Sequence, residues 1–167
     1  MPQSQTQSQS SSASAVADAI ALLTKDHRDV KELFRTYQEL ADNEASADER
    51  LAIAQEICEA LTLHTIVEEE IFYPALRAAA EDFEDELNEA EVEHSTVKEL
   101  VEQIKAMDPD EDLYDAKVKV LGEYVDHHAT EEEAEMFPKA QSADIDLEEL
   151  GQEMKERKEE LQLLDVD

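Results

Sequence analysis

The sequence contains no tryptophan, two glycines among 167 residues and four prolines. A chain this poor in turn formers, and this rich in Ala, Leu, Glu, Val and Ile, is built from helices, and its composition gives sheets little support. One cysteine, Cys58, excludes an intramolecular disulfide and removes any need for an oxidising compartment. Basic residues are scarce: 14 Lys and Arg stand against 45 Asp and Glu, a formal net charge of -31. No cluster of Lys or Arg interrupts that excess, so nucleic acid and anionic membranes are not expected partners. Most of the carboxylates read as a solvated face, or as an adaptation to salt. No stretch approaches the roughly 20 apolar residues of a membrane span, and the opening MPQSQTQSQSSSASA lacks the basic flank and apolar core of a secretion signal. A cytoplasmic protein is the expectation.

The length suits one domain with a real core. Residues 1–15 are polar, uncharged and low in complexity, a Ser/Gln tail expected to be disordered. From Val16 the pattern changes. Ile20, Leu23, His27, Val30, Phe34, Tyr37 and Ala41 alternate steps of three and four, the stripe of a helix facing a core. After a polar break at 42–45, Ser46 and Glu49 stand at capping-box spacing, and the second stripe runs Ala54, Ile57, Leu61, His64, Glu68, Ile71, Ala75. Pro74, near its end, is expected to bend or terminate that helix. The third stripe is Phe83, Leu87, Ala90, His94, Val97, Val101, Ile104. Asp108 and Pro109 read as an N-cap and first helical residue, opening a fourth stripe of Tyr114, Val118, Leu121, Val125, His128 and Glu132. The expected fold is all-α: an up-down-up-down antiparallel four-helix bundle over 16–140, with a short C-terminal amphipathic helix over 141–167. That last helix, capped by Asp146, offers Leu147, Leu150, Met154, Leu161 and Leu164, with Arg157 where another apolar residue would fit. Five isolated anchors make a thin coiled-coil seam, so packing back onto the bundle is expected rather than a dimer contact.

The chain repeats itself. His27-Arg-Asp-Val30-Lys31-Glu32-Leu33 matches His94-Ser-Thr-Val97-Lys98-Glu99-Leu100, and His64-x-x-x-Glu68-Glu69-Glu70-Ile-Phe72-Tyr73-Pro74 matches His128-x-x-x-Glu132-Glu133-Ala-Glu-Met136-Phe137-Pro138. Each half holds a lone His on one helix and His-x-x-x-Glu on the next, so a pseudo-twofold axis places like residues around the bundle centre. A lone His on an apolar face is more often a core residue bonded to a neighbour. The set is different. Two ionised carboxylates among apolar side chains, with no Lys or Arg on the seams to pair them, cost several kcal/mol each or protonate. A metal removes that penalty, and a metal-free His/Glu relay is the alternative. His and Glu at i and i+4 project from one helix face, so each such helix can offer an imidazole to one ion and a carboxylate that bridges to a second. Four nitrogens and two carboxylates suit an iron pair better than a closed zinc site, with manganese almost as good on ligand type and zinc also open.

The pattern His, His-x-x-x-Glu, His, His-x-x-x-Glu, with its Glu-Glu doublets and an aromatic-Pro closing each half, resembles the hemerythrin-like HHE cation-binding family over about Ile20 to Pro138. The resemblance implies a non-haem di-iron centre, two iron ions bridged by oxo or hydroxo, held by His27, His64, Glu68, His94, His128 and Glu132. This sequence departs from the oxygen carriers of that family: Lys98 stands where they have a fifth histidine, and Glu132 lies four residues after His128 where they have an aspartate at five. Reversible oxygen transport is therefore not expected. Open metal positions favour a small ligand such as oxygen, peroxide or nitric oxide. The alternative is an iron- or oxygen-responsive sensor, or an iron-holding protein without turnover. A ferritin-like site would need Glu-x-x-His twice, and only Glu91 and His94 offer it. His127 is expected to face away from the metals; Glu69 and Glu133 stand close enough to the ligands that a small helix rotation would exchange them. Tyr37, Tyr73 and Tyr124 lie near the stripes, where they line the pocket, hydrogen-bond a bound ligand or, as the simpler expectation, pack in the core.

Overall fold

Apolar residues three and four apart fold the chain into five helical rods, without a strand among the residues described, which are 17–165 of this computed structural model. The Ser/Gln segment at 1–15 lies outside them. The first helix, α1, spans Ala19–Asp42 and is opened by Asp18, whose carboxylate accepts from the Ala21 N–H at 2.8 Å. It closes in a turn where Glu44 takes a φ of 53° so that the Ala45 N–H bonds the Leu40 carbonyl at 2.9 Å. The second, α2, spans Ala47–Val67 behind the Ser46/Glu49 capping box.

Pro74 does not end the rod that α2 begins. A π-helical turn, Glu68–Phe72, carries the chain directly into α3, Tyr73–Ala79. The Tyr73 N–H reaches the Glu68 carbonyl across this wider turn, and Pro74 falls in the first turn of α3, where a missing N–H costs little. One extra residue per turn rotates everything beyond it. Phe72 and Leu76 are therefore fully buried, while Ile71 and Ala75, which the 3.6-residue period placed inside, are only partly so. The second repeat uses the same device: α5, Tyr114–Glu131, runs through a π turn at Glu132–Met136 into α6, Phe137–Ser142, just ahead of Pro138.

A 3-10 turn at Glu81–Phe83 leads into α4, Glu84–Ala106, whose stripe from Leu87 to Ile104 is buried as its spacing requires. The expectation that Asp108 and Pro109 open the next helix fails. They form a turn in which Asp108 Oδ1 accepts from the Asp110 N–H at 3.0 Å, and the helix starts later, at Tyr114. The acidic run 108–112 favours side-chain-to-backbone turns over helix, and Arg50 secures it by donating to the Pro109 carbonyl at 3.0 Å. The last helix, α7, spans Leu147–Leu164 with Asp146 as its cap.

Helix α1 packs against α2, α5 and α7, and α4 packs against α2 and α5. Two apolar clusters fill the interior. Leu23, Phe72, Leu87, Phe137 and Met154 belong to one; Val30, Ile57, Val97, Leu121 and Val125 belong to the other. Each fully buried side chain of this size is worth roughly 1.5–3 kcal/mol. Between the clusters, on all four long rods, lies a layer of histidine and glutamate. No helix among the described residues is long and apolar enough to cross a membrane.

Candidate metal centre

His27 follows Leu23 and precedes Val30 on the buried face of α1; His94 sits likewise between Ala90 and Val97 on α4. His64 and His128 take the last turns of α2 and α5, and the glutamates four residues on open the two π turns. Helical spacing thus aims six side chains into one layer, and all six are buried, Glu68 completely. His64 Nε2 lies 3.0 Å from Glu68 Oε1, and His94 Nε2 lies 3.0 Å from Glu68 Oε2. Glu132 Oε1 is 3.1 Å from His128 Nε2 and 3.3 Å from His27 Nε2. His94 and His128 bring their Nε2 atoms within 3.2 Å of each other.

These short separations are mostly not hydrogen bonds. Both nitrogens of His27, His64 Nε2, Glu68 Oε1 and Glu132 Oε1 are buried without a properly aligned partner despite lying within ion-pair distance. Unpaired buried polar atoms cost about 1–3 kcal/mol each. Donor atoms that crowd together without bonding one another fit a shared cation, and the residues present therefore suit a metal. Two donor groups emerge: His27, His64, Glu68 and Glu132 form one, and Glu68, His94 and His128 the other. Glu68 belongs to both through its two oxygens.

Charge also acts across these separations. Burial opposes a charge on His64, but Glu68 and Asp26 raise its pKa to about 10. His128 is lifted to about 11 against the same burial, by Glu132 and Glu93. Burial opposes the charge on Glu68 too, and His64 and His94 hold its carboxyl well below the usual range. A bound cation would replace those protons.

Behind each imidazole stands a carboxylate. His64 Nδ1 is 3.0 Å from Asp26 Oδ2, and His128 Nδ1 is 3.1 Å from Glu93 Oε2. Glu133 approaches His27 Nδ1 at 3.5 Å and Glu69 approaches His94 Nδ1 at 3.7 Å. A carboxylate bonded as Asp26 and Glu93 are orients its imidazole and raises the ring's basicity toward a metal. Glu69 and Glu133 thus sit behind the histidines instead of exchanging with Glu68 and Glu132, and Lys98 fixes Glu69 from outside at 2.6 Å. Sequence reasoning missed Asp26 and Glu93, although the signal was there: an acidic residue precedes the lone histidine in both repeats.

Tyr73 departs from the simplest of its expected roles. Its hydroxyl is not simply packed in the core but reaches the middle of the layer, 3.1 Å from Glu68 Oε2 and 2.9 Å from Glu132 Oε2, with His94 and His128 nitrogens at 3.2 and 3.3 Å. Burial and the two glutamates push its pKa well above 10. Tyr37 lies elsewhere, donating to Asp115 at 2.5 Å, and Tyr124 is half exposed. His127 points outward, and Glu91 is exposed and takes no part. A cavity of about 310 Å³ leads to His27, His64, His94 and His128 between the apolar walls Val30, Leu61, Val97 and Val125.

A helical bundle with duplicated histidines and glutamates converging on its interior defines a class of cation-binding protein. The chain belongs to the hemerythrin HHE cation-binding domain family, which matches residues 18–140. A hemerythrin HHE cation-binding domain-containing protein of Mycobacterium kansasii shares its fold with a TM-score of 0.69, at 29% identity and covering 86% of each chain. A DNA nickase of Nostoc sp. is 31% identical over 116 residues, which is 70% of this chain, and the chain spans 31% of that protein's length.

Proposed function

We propose that the chain is a non-haem di-iron protein that binds or reacts with a small ligand, oxygen, peroxide or nitric oxide, at a centre held by His27, His64, Glu68, His94, His128 and Glu132. The observation that carries this reading is Glu68, whose Oε1 and Oε2 belong to two different donor groups, as a carboxylate bridging two ions requires. Tyr73 offers a further oxygen to the same pair. The proposal takes the four ligand-bearing rods in up-down-up-down order, which the brief connections at 43–46, 80 and 107–113 favour.

An iron pair, when bound, supplies the electron exchange that these ligands demand. The chain's own residues do the rest. Asp26 and Glu93 orient the imidazoles of His64 and His128, and Glu133 and Glu69 face those of His27 and His94 from farther off. Val30, Leu61, Val97 and Val125 give the approach apolar walls beside Asp29, Glu56, Glu59 and Lys158, which leaves room for an uncharged diatomic or hydrogen peroxide. DNA cleavage is left to the Nostoc relative, because a chain with a net charge of -31 repels a polyanion.

A sensing role draws on one observation: Lys158 ties α7 to Asp26 and so to His64. In that reading, iron withdrawal makes α7 protease-sensitive, whereas the redox reading calls for turnover with added peroxide or nitric oxide. The test of the centre itself is metal analysis. Protein grown with iron should carry about two irons per chain, with a near-ultraviolet charge-transfer band, and His64→Ala and Glu132→Ala should lose both. A colourless protein with stoichiometric zinc would sink the iron assignment.

A further inference from the structure

The repeat places equivalent carboxylates behind His64 and His128, yet only one of them meets a protein cation. Lys158 sits 2.6 Å from both oxygens of Asp26. Glu93, the counterpart, has no Lys or Arg in ion-pair distance among the described residues. Beside it lies a second His-x-x-x-Glu step, one residue out of phase with the first: His127 and Glu131, with Nε2 and Oε1 3.2 Å apart. The matching residues of the first repeat are Leu63 and Val67, both buried. One ligand atom from each of Glu93, His127 and Glu131 lies within 4.8 Å of the others.

This flank continues inward. Glu86, Glu89, Glu93, Glu131 and Glu135 line a narrow cleft whose inner wall holds His128 and Glu132. Glu132, 2% exposed, turns its Oε1 away from the cleft into the buried centre, 3.1 Å from His128 Nε2 and 3.3 Å from His27 Nε2. We propose that Glu93, His127 and Glu131 bind a divalent transition-metal ion at the surface and pass it along the cleft to the buried centre. One imidazole with two carboxylates, open to water, suits Fe(II), Mn(II) or Zn(II). Carboxylates concentrated in a cleft raise the local concentration of cations. Glu93 joins the two places, because the same carboxylate that would hold the outer ion touches His128 Nδ1 at 3.1 Å. The transfer rests on the reading of the buried centre; the outer site does not.

The test is a Mn(II) titration of the full chain, read by the EPR signal of the unbound ion. Wild type should bind about one more ion than His127→Ala or Glu131→Gln, whatever number the centre itself takes. Both side chains are at the surface, 64% and 41% exposed, so both variants should keep the helical circular dichroism of wild type. In a second arm, Fe(II) added without oxygen should fill the centre on the order of tenfold more slowly in His127→Ala, while final iron content is unchanged. Equal Mn(II) counts and affinities in wild type and both variants would overturn the outer site. A lost outer ion with unaltered iron loading would overturn the transfer. A centre that takes no metal in wild type, with the one-ion difference intact, would overturn the proposed function and leave the outer site standing.

Discussion

Lys158 of α7 grips Asp26 of α1 through both carboxylate oxygens, and Asp26 in turn faces His64 Nδ1 at 3.0 Å. A helix beyond the duplicated hairpins thereby helps to fix an imidazole of the candidate centre. Burial works against the charge on Asp26, but His64 and Lys158 hold its carboxyl below the usual range. Replacing Lys158 by Met removes the grip while keeping most of the apolar stem. Metal affinity should fall on the order of tenfold, as measured by competition with a chelator, because the imidazole loses its orienting partner's own anchor. Unchanged affinity would show that Asp26 needs no help from α7.

Tyr73→Phe isolates one hydroxyl. In the metal-free protein that hydroxyl stays protonated and donates to a buried glutamate oxygen, of Glu68 or Glu132 at any one time. Removing it leaves two buried carboxylates with one donor fewer, a loss of about 1–3 kcal/mol readable as a lower urea midpoint. In the iron-loaded protein a visible phenolate-to-iron band should be present in wild type and absent from the variant. Its absence from wild type would restrict Tyr73 to hydrogen bonding.

Much of this was legible in the sequence because burial is periodic. Polar residues at strictly apolar positions, His27, His64, His94 and His128, announce a special interior, and the duplication says that they share it. What was not legible arises where the period changes. The π turns at Glu68 and Glu132 take one residue more per turn, so Phe72 and Leu76 displace Ile71 and Ala75 from the core. Tyr73 is carried by that same rotation, which a fixed 3.6-residue period does not anticipate. Asp26 and Glu93 escaped notice because their neighbours His27 and His94 took the seam, while their own carboxylates reach across to a different helix. Asp108 and Pro109 carried a genuine helix-start signature, and local turn bonds together with Arg50 overrode it.

The raised histidines give a pH dependence of opposite sign with and without metal. His64 and His128 have folded-state pKa values of about 10 and about 11, above the ordinary 6.5. In the metal-free protein their pairing with carboxylates therefore contributes fully below about pH 6.5 and is lost as pH rises through those values. A metal needs the same nitrogens without protons, so its binding strengthens over the same range. The gap in melting temperature between metal-loaded and metal-free protein should thus widen from about pH 7 to about pH 9, followed by circular dichroism. A constant or narrowing gap would mean that these imidazoles are not the groups a metal displaces.

Gly151 lets α7 cross the start of α1. A Cβ added there would stand 2.6 Å from the Ala17 carbonyl oxygen and 2.8 Å from the Ala19 nitrogen, contacts with backbone that cannot swing aside as a side chain would. Three residues along, α7 seats Met154, fully buried against the cluster that contains Leu23 and Phe72, and Lys158 follows one turn later. Gly151→Ala must therefore lift α7 or shift α1, at a cost of about 1–3 kcal/mol in unfolding free energy. Because α7 carries Lys158, the same substitution should weaken metal binding in the direction of Lys158→Met, although position 151 touches no candidate ligand. The double variant decides whether the two act through one path: chelator competition should give it little more loss than the larger of the two singles. Additive losses would mean that α7 supports the centre by some route other than Asp26.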